Sequence, residues 1–393
     1  MRAVAVCLLV GALGTAAPAV ASAAPPPGAC LSEIKPREVR TDRPWEDRLL
    51  DSARVWSVTK GAGVRVGVVD SGVDADNPQL RGKVFPGHDF VRNTDGARFD
   101  CAPHGTAVAS IIVGEKMDGT GFHGIAPDAR IVPARISDTD AIEGGPAIVA
   151  AAIRYTVDSG VKVLNLSLTL FEDVPEVRQA VDYARQHDVL LIAAAGNAGE
   201  DGNPTPYPAA YPGVLGVGSI DISGAKAPDS QTGDFVDLVA PGVKVTGCSP
   251  SAGHQLWQGT SFATPFVAGT AALVRSVYPE LTADQVYERL IRTATVARGG
   301  GDRSPEYGTG LVNPYRAVTD TTVVGEEPPV AQAPVAGPET DVVAEKKAAE
   351  TVAADRSARG TTTVLLVTTL GALAIGGLLL AGRRRDWTPR RRQ

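Results

Sequence analysis

Two hydrophobic rhythms alternate along the middle of this chain. Short apolar, β-branched runs fall at residues 64–70 (VRVGVVD), 130–135, 161–167 (VKVLNLS), 189–194 and 214–219. Runs apolar on both sides of the pleat mark strands buried on both faces, as in a parallel sheet. Between them, residues 106–113, 145–159 and 175–187 carry the wider spacing of helices. Residues 262–277 (FATPFVAGTAALVRSV) predict a further apolar helix, and residues 282–293 an amphipathic one. The alternation predicts an α/β domain, a doubly wound and mostly parallel sheet with helices on both faces. In such a sheet the ligand site lies beyond the carboxyl ends of the strands.

The two ends follow other patterns. Residues 1–23 have one basic residue, Arg2, an apolar run from Ala3 to Leu13, and the small residues Ala21-Ser22-Ala23. That is the layout of an export signal, cleaved after Ala23. A retained N-terminal anchor is the alternative. Residues 24–44 form a short Pro-rich extension with too little chain for a core of its own. The pattern dissolves again at 319–360, where four prolines and no aromatic residue predict a flexible linker spanning about 40 Å.

Residues 361–381 (TTTVLLVTTLGALAIGGLLLA) contain no charge. As a helix they would span about 31 Å, enough to cross a bilayer. The tail at 382–393 carries six Arg and one Asp. By the positive-inside rule it would lie in the cytoplasm, with residues 45–318 and the rest of the exported chain outside. A wall-sorting signal would need an LPxTG-type motif upstream, and the residues before 361 have none.

The formal charge of −6 conceals an asymmetry, because the tail and Arg2 are basic and leave the exterior near −12. This argues against a nucleic-acid partner. Of the four cysteines, Cys7 falls in the predicted leader, so Cys30, Cys101 and Cys248 remain and cannot all pair with one another.

Three islands carry candidate chemistry. Asp70 ends an apolar strand before a Gly turn (VVDSGV), His104 opens a helix (HGTAVA), and Ser261 begins another (GTSFATPFVAG). Each alone reads as an ordinary structural residue: a capping Asp, a structural His, an N-cap Ser. Together, in the order Asp, His, Ser, they resemble the three signatures of the subtilase family, over roughly residues 45–318. The resemblance implies a serine endopeptidase in which Asp70, His104 and Ser261 form the catalytic triad. Ser261 would attack the peptide carbonyl, His104 would move the proton, and Asp70 would orient and stabilise the imidazole. It further implies that Asn197, in AAAGNAG, and the Ser261 N–H form the oxyanion hole. Leu166, Ser167, Leu168 and Thr169 would line the substrate cleft. Thr169 stands where many subtilases have glycine, and Ala198 adds no charge, so small or uncharged side chains are expected next to the cleaved bond. No cofactor is implied. A calcium site at Asp74-Ala75-Asp76-Asn77 is open, with a solvated turn the plainer reading.

The whole layout is similar to mycosins, the subtilases of actinobacterial type VII (ESX) secretion systems. So are Cys101 shortly before His104 and a cysteine in the extension. This likeness implies a single-pass cell-membrane protein, protein or peptide substrates, and partners among the membrane components of the secretion system. It also implies an extension that wraps the catalytic domain. A Cys30–Cys101 disulfide would clamp that extension near His104; pairing through Cys248, or three free thiols, are the alternatives. Only 34 positions separate Asp70 from His104, leaving little room for a long loop there. Two other functions stay open: a scaffold for a membrane complex, and a general degradative subtilase at the cell surface.

Overall fold

Strands apolar on both faces need cover on both, and the fold supplies it. The structure, a computed structural model, describes Cys30 and residues 35–139, 142–296 and 303–321. The predicted leader, most of the predicted linker, the predicted membrane span and the basic tail lie outside them. The chain divides into two units, Met1–Ala331 and Gln332–Gln393, and the described residues belong to the first.

The strands are β1 (Arg65–Asp70), β2 (His88–Asp89), β3 (Thr94–Asp95), β4 (Arg130–Arg135), β5 (Val163–Leu166), β6 (Leu190–Ala194), β7 (Val214–Ile220), β8 (Leu238–Pro241), β9 (Val243–Cys248) and β10 (His254–Gln258). The helices are α1 (Trp45–Leu50), α2 (His104–Val113), α3 (Pro146–Asp158), α4 (Pro175–Gln186), α5 (Thr260–Val277), α6 (Ala283–Thr293) and α7 (Pro314–Thr319), with a 3₁₀ turn at Ser52–Ser57. One eight-stranded sheet runs in the order β3-β2-β4-β1-β5-β6-β7-β8, parallel throughout except for the β2–β3 pair. β9 and β10 form a separate antiparallel pair.

Alternation of side chains splits the core in two. Val66, Val68, Val163, Leu190 and Ile192 point into one cluster with α2 and α5, while Val69, Leu164, Leu166, Leu191 and Ala193 point into another with α3 and α4. The chain crosses from one face to the other around β1, which lies between β4 and β5. Its carboxyl end is therefore the switch point where a doubly wound sheet opens a crevice. α5 is buried along most of its length, with small residues against its neighbours. A Cβ at Gly269 would come within 2.7 Å of Ile125 Cβ.

The extension has no core of its own, and its described part lies along the β9–β10 pair. Arg37 N–H donates to Ala252 O (2.9 Å), His254 N–H to Glu38 O (3.0 Å), and Gly121 N–H to Arg40 O (3.0 Å). A Cβ at Gly253, where φ is +78°, would stand 2.0 Å from Arg37 O. Glycine there is what lets the extension pass so closely. Cys30 and Cys101 are joined as a disulfide across 71 positions. Cys248 is free and buried, its thiol pushed up to about 12 by burial. A thiol so far from ionisation is a small hydrophobe rather than a nucleophile.

Candidate active site

Asp70 is the last residue of β1, and its side chain is 4% exposed. Gly72, at φ +104°, turns the chain away immediately after it. Oδ1 accepts from Ser71 N–H at 2.7 Å and lies 2.8 Å from His104 Nδ1. A carboxylate only accepts, so Nδ1 carries the proton and Nε2 keeps the lone pair a base needs. His104 is the first residue of α2, and its ring lies 4.9 Å from that of Phe262, which backs it from α5. α2 can come this close because residue 105 is glycine: a Cβ there would meet Gly72 O at 2.1 Å and Asp70 Oδ1 at 3.0 Å.

Ser261 is the second residue of α5, where first-turn N–H groups lack intrahelical partners. Pro265 stands four residues on and has no N–H to bond the Ser261 carbonyl. Ser167 Oγ fills that role, donating to Ser261 O at 2.7 Å, and Ser261 Oγ donates back to Ser167 O at 3.2 Å. The proline thus ties the serine to the segment after β5.

Asn197 follows β6. Its Oδ1 accepts from Thr260 N–H (2.8 Å) and Thr260 Oγ1–H (2.9 Å). With the oxygen held, the amide nitrogen is the end left to donate. Gly259, at φ +125°, makes space beside it, since a Cβ there would lie 3.0 Å from Asn197 Nδ2.

Asp70, His104, Asn197 and Ser261 converge on one cavity of about 480 Å³. Ser167, Leu168 and Thr169 line it as expected from the sequence; Leu166 does not. Leu166 is the last residue of β5 and faces the opposite way, fully buried in the α3–α4 cluster. Ile136, Ile142, Leu168 and Phe171 give the cavity apolar surface, and Asp70 is the one charged residue among the described lining. Asp74 and Asn77 hold the loop to Ser251 and Ser249. Among the described residues no group of His, Cys, Asp or Glu is placed to hold a metal.

Three residues the sequence reading missed support this site. Thr260 orients Asn197; its only signal was its place before Ser261. Ser71 Oγ accepts from Gly105 N–H at 3.0 Å. Asp100 is buried with four donors: Ser71 Oγ–H (2.8 Å), Ala102 N–H (3.0 Å), Thr106 N–H (2.8 Å) and Thr106 Oγ1–H (2.6 Å). Burial raises the Asp100 carboxyl above its usual range, against the lowering by Thr106 and Ser71. Nothing in the sequence sets it apart from other carboxylates.

A hydroxyl on a helix N-terminus, a carboxylate-held imidazole and a fixed amide donor around one cavity are the parts acyl transfer requires. Comparison with known proteins agrees. Residues 61–310 match the subtilase family. The thermophilic serine proteinase of Bacillus sp. (strain AK1) is 38% identical over 265 residues, 67% of this chain and 64% of that protein, just under two thirds of its length. Thermitase of Thermoactinomyces vulgaris is 35% identical over 279 residues, 71% of this chain and 96% of that protein. Among solved structures, MycP1 from the ESX-1 type VII secretion system superposes with a TM-score of 0.65 at 28% identity, over 77% of this chain and 91% of that one. The chain belongs to the subtilase family and is a serine endopeptidase.

Proposed function

We propose that the protein is a membrane-anchored, extracytoplasmic endopeptidase of a type VII secretion system, with Asp70, His104 and Ser261 as its catalytic triad. The observation that carries the catalytic assignment is the 2.8 Å Asp70–His104 bond in the cavity that Ser261 also lines. In the reaction, Ser261 Oγ leaves Ser167 O for His104 Nε2, gives up its proton there, and attacks the carbonyl. The imidazolium formed is stabilised by Asp70 and returns the proton to the leaving amine. Asn197 Nδ2 and the Ser261 N–H hold the oxyanion. The apolar, uncharged wall favours substrates with uncharged side chains beside the cleaved bond.

The secretion role and the membrane address rest on the similarity to MycP1, on the disulfide-held extension, and on the apolar segment 361–381 before its basic tail. Neutralising Ser261 tests the chemistry. Ser261→Ala should abolish peptide hydrolysis by the purified exterior portion, and near-normal turnover in that variant would overturn the mechanism. Deleting the gene should block type VII export in the native host. Export that continues unchanged would reject the secretion role and leave a surface protease.

A further inference from the structure

The mechanism above does not use Asp100, although this buried carboxylate reaches the catalytic pair through one hydroxyl. Ser71 Oγ has a single proton and two acceptors within reach, Asp100 Oδ1 at 2.8 Å and Asp70 Oδ1 at 3.2 Å. One of its two lone pairs is engaged by Gly105 N–H. Asp70 Oδ1 already receives Ser71 N–H and faces His104 Nδ1. A third donor on that oxygen would stabilise its charge locally and weaken its hold on the imidazole. We propose that Asp100 is a positioning residue for the base: it draws the Ser71 hydroxyl proton to itself, so that Asp70 is left to His104.

The residue type matters. A carboxylate can only accept from Ser71, whereas an amide at this position can donate to Ser71 Oγ and turn its proton toward Asp70. The four donors around Asp100, two of them backbone N–H groups, favour the ionised form and oppose the raising effect of burial. The charge behind Asp70 also favours a positive imidazole. The other charged groups at this corner have hydrogen-bond partners of their own, although the Arg135 guanidinium also feels the charge of Asp100. Arg135, at the end of β4, bonds Asp89 at 3.1 Å, Arg92 bonds Asp138 at 2.9 Å, and Asp74 bonds the N–H of Ser251 and of Asp76.

The inference rests on His104 as the base, and its test separates the two. Asp100→Asn should lower kcat about tenfold with KM within about twofold. It should also move the acid limb of the kcat/KM profile down by about half a pH unit, because the imidazole becomes less basic. Adding Ser71→Ala should bring that limb back more than halfway, since the turned hydroxyl is gone. A purely structural role predicts that the second substitution makes matters worse. The idea is overturned if folded Asp100→Asn keeps the wild-type limb, or if the double variant lies no nearer to wild type. Should Asp100→Asn fail to fold, Ser71→Ala alone decides: an unmoved limb supports the inference, and a raised limb, meaning that the hydroxyl had been donating to Asp70, refutes it. His104→Ala is the control. Activity in that variant would defeat the triad assignment itself, whereas inactivity with an unmoved Asp100→Asn limb defeats only the role of Asp100.

Discussion

At the scale of single residues, the geometry around Asn197 makes the sharpest claim. Thr260 binds its Oδ1 with two donors, so the amide cannot rotate freely and its nitrogen is the end left for the oxyanion of the proposed mechanism. Asn197→Ala should lower kcat by about 10²- to 10³-fold, the size known for an oxyanion-hole asparagine in subtilisin, with KM nearly unchanged. Thr260→Val keeps the backbone donor and loses the hydroxyl, so it should act in the same direction but by about tenfold. Steady-state kinetics on a peptide substrate check both, and a Thr260→Val loss confined to KM would contradict the orienting role. The same residues show what was legible. Asp70, His104 and Ser261 each sit inside a contiguous motif whose glycines and small residues serve the same site. Asn197 was legible only through family resemblance. Its partner is 63 positions away, and Asp100 meets Ser71 across 29, so neither contact leaves a local pattern.

At the scale of elements, the long runs were readable because burial on both faces leaves little choice of residue. β4 falls at the predicted bounds, and α6 begins at Ala283 because Thr282 is extended and caps Gln285 in a capping box. The β2 and β3 strands were not readable: two residues each cannot establish a period, and they fill the stretch between Asp70 and His104. α1 was missed as well, and it carries two adjacent carboxylates driven in opposite directions. Burial pushes Glu46 up to about 7, with Oε1 bonded to Thr246 N–H and Oε2 lacking a partner. Burial also acts to raise Asp47, but His123 and Arg43 bring it down to about 2. The signs decide the pH window. Glu46 is protonated in the fold while the unfolded chain ionises above 4.5, so stability falls as pH rises from 4.5 to 7 and is level beyond. Asp47 stabilises above 3.8 and loses that only as pH falls toward 2, so it is constant across this window. Glu46→Gln should therefore gain up to about 3 kcal/mol on wild type between pH 4.5 and 8. Urea unfolding at those two pH values measures it, and parallel curves for the two proteins would exclude a buried neutral Glu46.

At the scale of the whole molecule, the question is whether the extension inhibits or braces. Its described residues bond to Ala252, His254 and Gly121, and none of them lines the catalytic cavity. The extension is held at a second point by Cys30–Cys101, whose far end lies three positions before His104. A cross-link closing a loop of this length stabilises by about 4 kcal/mol in the chain-entropy model. An inhibitory segment must occupy the cleft and then leave it, whereas the described residues of this one lie outside the cavity lining and its Cys30 is held covalently. The protease should therefore hydrolyse peptides with its extension intact and need no second cut. An active-site serine label combined with intact-mass measurement tests this on one sample. Labelled protein should have the mass of the uncut chain with its disulfide closed. Label appearing only on molecules that have lost residues 24–44 would show that the extension is a propeptide after all. Replacing both Cys30 and Cys101 by Ala should lower the unfolding free energy by up to the same 4 kcal/mol while leaving the cavity open. If the double variant instead became faster at unchanged stability, the disulfide would be holding the extension against substrate rather than bracing the segment that carries His104.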